Sequence, residues 1–164
     1  MKNPTQLKAR FPYQFGGHNI GISVARGWFP AFAQLCADID HLLGDDKRNF
    51  HWTQVKEKFG SARYYWAMDR RNPYVNVSIV DAAGSVLSVV RQEQEDESNP
   101  TSQVSRQISA LIDQASGATS TSCIACGLPG RLDNYQGYVL VLCEKHADAR
   151  HRNKLPSFWF EEEE

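Results

Sequence analysis

The spacing of hydrophobic residues changes character several times along the chain, and each change predicts an element. In HNIGISVARG, Ile20, Ile22 and Val24 alternate with small or polar neighbours, the two-residue period of a short strand. The following GWFPAFAQLCADIDHLLG has a different period. Trp28, Phe29, Phe32, Leu35, Cys36, Ile39, Leu42 and Leu43 recur at steps of three and four, which predicts a helix with one broad apolar stripe. Pro30 suits its first turn and Gly44 its end. In HWTQVKEKFG, Trp52, Val55 and Phe59 share a helical face, so a second, shorter helix is expected there, with Gly60 as its cap.

Three strands are then expected in ARYYWAM, YVNVSIV and SVLSVVR, joined through the turn-rich DRRNP and DAAG. The polar, acidic QEQEDESNPTSQ reads as a linker or loop over 92–103. A third helix follows in SQVSRQISALIDQAS, with Val104, Ile108, Leu111, Ile112 and Ala115 on one side and Gly117 closing it. The fold class these elements imply is α+β. An antiparallel β-meander with packed helices occupies 1–91, and 104–164 holds a helix, a cysteine-bearing module and an acidic tail.

Composition adds that a core can form, with 41% hydrophobic and 11% aromatic residues. A net charge of −1 argues against bulk electrostatic coating of nucleic acid, and no apolar run approaches the roughly 20 residues a bilayer crossing needs. The start MKNPTQLKARFPYQF has no secretory h-region, and only four cysteines stand in a chain of 164 residues. Both point to a cytoplasmic, reducing location without a membrane partner.

Three of those cysteines lie in CIACGLPGRLDNYQGYVLVLCEKHADARHRNK. Cys123-x2-Cys126 and Cys143-x2-His146 are two ligand pairs separated by 16 residues. Two residues between ligands let a tight turn aim both side chains at one ion, and thiolates with an imidazole suit tetrahedral Zn2+. GRLD, the turn NYQG and YVLVL form a hairpin, and CEKHADARHRNK starts a helix. Knuckle, hairpin and ligand-bearing helix give a treble-clef-like zinc module. Four protein ligands close the shell, the mark of a structural rather than catalytic zinc. His151 is the alternative fourth ligand, and Cys36 lies on the apolar helical stripe as a small hydrophobe.

Catalytic signatures are sparse. LVLCEKHADARH resembles the C-terminal half of HNH-type nucleases, but residues 127–142 contain no histidine to act as general base. No phosphate-cradling glycine loop and no serine nucleophile elbow is present. His51 with Arg63, Tyr64, Tyr65 and Trp66 reads as cross-strand packing in preference to a pocket. Lys145, Arg150, Arg152 and Lys154 make the last helix basic. With Arg131 on the hairpin they are the candidate contacts to nucleic acid or another partner. The tail LPSFWFEEEE either packs back on the core or serves as a docking element.

FPYQF, ARGWFPAFAQLCADI, QVKEKFGSARYYW and CIACGLPGRL…GYVLVLCEKHA together resemble a group of small accessory proteins of tailed phages and prophages, over about Phe11 to Ala147. Ala62-Arg63 departs from that group's Leu-Arg, and 69–104 is longer than its usual middle segment. The resemblance implies a protein made in the bacterial cytoplasm with one structural zinc, and it supplies no reaction. The expected function is therefore a non-enzymatic accessory protein binding a host or phage macromolecule, a protein before a nucleic acid, for instance to inhibit a host defence or transcription factor. A nucleic-acid-binding module using helix 144–154 is the alternative, and an HNH-like nuclease the less favoured third.

Overall fold

A computed structural model describes residues 3–68, 77–80, 86–89 and 100–160. The DRRNP and DAAG turns, residues 92–99 of the expected linker and the terminal Glu161 to Glu164 lie outside the described residues. The elements run α1 (Pro4–Arg10), α2 (Pro12–Phe15), α3 (Phe29–Leu43), β1 (His51–Lys58), β2 (Ser61–Ala67), β3 (Val77–Val80), β4 (Val86–Val89), α4 (Pro100–Thr119), β5 (Arg131–Tyr135), β6 (Tyr138–Leu142) and α5 (Glu144–His151). The α+β character is as expected, but among the described residues the strands do not join into one meander. They pair as three antiparallel hairpins, β1–β2, β3–β4 and β5–β6.

The largest departure from expectation is His51–Lys58, which is a strand and not a helix. The register slips between Trp52 and Gln54, and this bulge turns both Trp52 and Val55 into the core although they are three residues apart. A bulged strand therefore imitates helical spacing. Phe59 and Gly60 are the two loop residues of the hairpin and both have positive φ, +52° and +80°, as a type I′ turn demands. Gly60 is a hairpin residue, not a helix cap.

α3 forms as expected, with Pro30 in its first turn and Gly44 at a φ of +59° where it stops. Its stripe of Phe29, Phe32, Leu35, Cys36 and Ile39 is buried. Phe32 stacks on Tyr64 of β2 with ring centroids 5.5 Å apart and packs on Trp52 of β1 at 5.4 Å. Phe50 wedges between Trp52 and Trp66. Tyr64 and Trp66 of β2 are thus core packing and cross-strand pairing, whereas Tyr65 is exposed on the other face of the ribbon. Cys36 is fully buried, and burial pushes its thiol pKa far up, so it is a core hydrophobe.

Residues around Ile22 run extended beside β1, as the alternation implied, but form a single parallel bridge from Ile22 to Val55 and not a full strand. Two N-terminal helices were not anticipated. Asn3 caps the first by accepting from the Gln6 amide at 2.9 Å, with Pro4 following it. α4 begins at Pro100, inside the expected linker, and continues past Gly117 to Thr119. There the Thr119 hydroxyl accepts the Ala62 amide of β2 at 2.9 Å and donates to the Ser116 carbonyl, which ties the helix end to the ribbon. One buried cluster runs from Leu7 and α3 through β1, β2 and Ile108 to Cys123, Ile124, Leu140 and Leu142. No helix among the described residues is long and apolar enough to cross a membrane.

Candidate metal centre

The segment 121–130 folds as a tight knuckle. The Cys123 amide donates to the Leu128 carbonyl at 2.7 Å, and the Gly127 amide to the Cys123 carbonyl at 2.8 Å. Gly127 closes the turn at a φ of +78°, where a side chain is strained. The Ile124 amide donates to Val141, joining the knuckle to β6. The β5–β6 hairpin turns through Gln136 and Gly137, again both at positive φ. It delivers the chain to Cys143, the N-cap of α5, and the His146 and Ala147 amides donate to the Cys143 carbonyl.

N-cap and third helical position point the same way, so Cys143 and His146 meet the knuckle thiols. The ligand atoms of Cys123, Cys126, Cys143 and His146 all lie within 4.8 Å of one another. His146 Nδ1 is 3.4 Å from Cys123 Sγ and 3.2 Å from Cys143 Sγ, and the Cys126 and Cys143 sulfurs are 3.9 Å apart. Zinc bonds of about 2.3 Å to sulfur and 2.0–2.1 Å to nitrogen put tetrahedral ligands about 3.5–3.8 Å apart, close to these separations. The cysteines are unbridged by disulfides, and the four residues can hold a metal ion.

The electrostatics divide the thiols. Burial pushes the Cys143 thiol up, but the His146 amide, the Cys123 and Cys126 thiols and the Lys145 amide outweigh it and hold its pKa below the ordinary value. It sits where the N–H groups of α5 favour a thiolate. Cys126 is pushed up to about 11, first by burial and then by its cysteine neighbours, against an amide hydrogen bond from Leu128. A cation is the natural counter-charge for three thiolates held this closely.

Comparison with protein-family models, curated proteins and solved structures gives no match to this chain.

His151, the alternative ligand, is engaged elsewhere. Its Nε2 lies 2.8 Å from Asp133 Oδ1, and its ring stacks on Tyr135 at 4.7 Å. The same Asp133 binds Arg150 through Oδ2 at 2.8 Å. Arg150 also donates to the carbonyls of Asp133, Tyr135 and Tyr138, so it pins α5 to the hairpin with only 9% of its surface exposed. Of the candidate contact residues, Arg150 is thus consumed inside the module. Arg131, Lys145, Arg152 and Lys154 are exposed, and Arg152 faces Asp148 one helical turn away at 3.6 Å.

The residues that dock the knuckle on the rest of the chain escaped sequence reasoning. The Gly27 amide donates to the Ile124 carbonyl at 2.9 Å, and Trp28 Nε1 donates to the Ser122 carbonyl at 2.8 Å. The signal was a glycine immediately before Trp28, at a helix start where a side-chain cap is usual. The tail closes over the same strip. The Arg26 amide donates to the Phe158 carbonyl, Ala25 bridges to Trp159, and Phe160 packs edge-on against Phe29 at 5.2 Å. The aromatic part of the tail therefore packs back on the core.

Proposed function

We propose that Cys123, Cys126, Cys143 and His146 hold one structural Zn2+ in a treble-clef-like module, and that the protein is a non-enzymatic, phage-type accessory protein that binds a host or phage macromolecule. The observation carrying the zinc reading is the mutual approach of four soft and borderline ligand atoms within 4.8 Å, at separations suited to a tetrahedron. Four protein ligands leave no open position for substrate, which favours a role in holding the knuckle, hairpin and α5 together. Metal analysis of the purified chain is expected to give one zinc, and Co2+ substitution the visible spectrum of a tetrahedral thiolate site. A stable, folded wild type without metal would overturn the reading.

The accessory-protein reading is supported by the motif resemblance and by the lack of a hairpin histidine that an HNH-like nuclease would need. Its test is affinity capture from nuclease-treated and untreated bacterial lysates. Recovery of no specific macromolecule at physiological salt from either would count against it. Nucleic-acid binding through helix 144–154 is less favoured, because Arg150 faces the hairpin and Arg152 faces Asp148.

A further inference from the structure

The β1–β2 hairpin has one face in the core and one face outside. Val55, Ala62 and Tyr64 point inward and are buried. The register places Gln54 opposite Tyr65, Lys56 opposite Arg63 and Lys58 opposite Ser61 on the other face. Three cations therefore stand on one short ribbon, with Lys56 and Arg63 directly opposite, an arrangement that costs stability in an isolated sheet. Among the described residues none of the three forms an ion pair with a carboxylate. Glu57 lies on the inner face, where it accepts from Tyr138 and from the Gly60 amide.

Aromatic rings interleave with these cations. Lys56 Nζ lies 5.3 Å from the Tyr65 ring centroid, and Lys58 Nζ 5.3 Å from that of Phe59. Phe59 is the most telling residue. It is 73% exposed and holds a φ of +52° at the hairpin tip, a position suited to Asn, Asp or Gly. A bulky apolar side chain there gains little from burial and strains the backbone, and such strain collects at functional positions. Beside it an open groove of about 540 Å³ is walled by Lys58, Phe59, Arg63 and Tyr65 from the ribbon and by Ile112 and Asp113 from α4.

We propose that this outer face of the β1–β2 ribbon binds single-stranded nucleic acid, with Lys56, Lys58 and Arg63 on phosphates and Phe59 and Tyr65 stacked on bases. Cations alone would suit any polyanion. Exposed aromatic faces beside them suit unpaired bases, which a duplex hides and an acidic peptide lacks. Asp113 in the groove wall supplies an acceptor for an exocyclic amine. The proposal deepens the macromolecule-binding reading by naming its surface and partner class, and its failure would leave the zinc content untouched.

The test is fluorescence polarisation of labelled oligo(dT) and oligo(U) with the full, zinc-loaded chain. Binding is expected to weaken with salt at a log–log slope of about −0.7 per phosphate contacted, about −2 for three contacts, and Lys58→Gln should remove about 0.7 of it. Phe59→Asn should weaken binding about five- to hundredfold while leaving thermal stability equal or higher, because Asn accepts the positive φ. A purely structural Phe59 would show the reverse, lower stability with unchanged binding, and would overturn the proposal. So would undetectable binding at low salt, tighter binding of a duplex of equal length, or binding of polyglutamate in place of both oligonucleotides. Replacing Lys145, Arg152 and Lys154 together by Gln should change little. If that variant alone abolishes binding, the ribbon is not the site.

Discussion

Gly27 and Gly127 meet backbone to backbone. A Cβ on Gly27 would stand 2.6 Å from the Gly127 nitrogen and 2.7 Å from that of Cys126, and one on Gly127 would stand 2.8 Å from the Gly27 carbonyl oxygen. The start of α3 and the cysteine knuckle therefore touch through two residues without side chains, more than 90 positions apart in a 164-residue chain. No flexible side chain can yield at this contact, because the opposing atoms are main chain.

Gly27→Ala should accordingly destabilise the protein by about 1–3 kcal/mol, the range for forced overpacking. Gly127→Ala meets a looser contact, but its φ of +78° adds about 1–2 kcal/mol for a left-handed backbone, so a comparable loss is expected. Urea denaturation of zinc-loaded protein measures both. Gly44→Ala is the informative comparison. It too has a positive φ, with ψ at −136° in a region nearly confined to glycine, but a Cβ there meets nothing within 4 Å, so only a backbone cost of about 1–3 kcal/mol should remain.

Removing the metal should unfold more than the module. Cys123 and Ile124 are fully buried in the cluster that also contains Trp28, Phe29 and Ile108. Structural zinc sites carry roughly 10–16 kcal/mol of apparent binding free energy in zinc-finger peptides, far above the stability of an ordinary domain. Chelation, or Cys143→Ser, is expected to lower stability by several kcal/mol. It should also change tryptophan fluorescence, because Trp28 hydrogen-bonds the Ser122 carbonyl at the knuckle. Unchanged fluorescence and unfolding after complete zinc removal would show that the knuckle stands without its ion.

Arg150 and Arg152 are two residues apart, but their removal should differ greatly in cost. Arg150→Ala leaves the Asp133 carboxylate, 13% exposed, without its guanidinium and frees the Asp133, Tyr135 and Tyr138 carbonyls of the hairpin. Breaking a fully buried pair costs about 3–5 kcal/mol, and the His151 contact that remains on Asp133 should keep the loss at or below the lower end of that range. Arg152→Ala removes an exposed pair with Asp148 and should change stability by less than about 0.5 kcal/mol. Comparable losses in the two variants, read from urea midpoints, would contradict the assignment of Arg150 as the pin of α5.

What could be read from the residues alone follows from how far apart the causes lie. The Cys–His pairs, the β5–β6 turn and the stripe of α3 are local patterns, and each was legible. β1 carries helical spacing because its bulge lets Trp52 and Val55 face the core together, a spacing that a helix produces without a bulge. Under that spacing the type I′ glycine, Gly60, stands where a helix end would put its cap. That the described strands pair as separate hairpins and not as a meander has a similar origin, since alternation identifies strands but not which strands pair. The Gly27–Gly127 contact joins segments whose proximity only the fold creates, so no pattern within either segment announces it.

Acid should expose one more link between the N-terminal helices and the core. Asp40 near the end of α3 accepts from Lys47 at 2.7 Å and from the Tyr13 hydroxyl at 3.0 Å, which joins α2 to the loop after α3. The Lys47 ammonium holds the Asp40 carboxyl below its ordinary value of 3.8; burial opposes it, and the Tyr13 hydroxyl adds to the lowering. A carboxyl whose folded pKa is depressed stabilises the fold above its unfolded pKa and loses that contribution as pH falls through the folded one. The wild type should thus exceed Asp40→Asn in stability at neutral pH. The difference should hold down to about pH 5, then shrink below pH 4 as the unfolded chain begins to take up the proton. Because the pair is about one-third exposed, added salt should also reduce the neutral-pH difference. A difference constant from pH 7 to pH 2.5 would mean that Asp40 acts through its neutral hydrogen bond to Tyr13 and not through its charge.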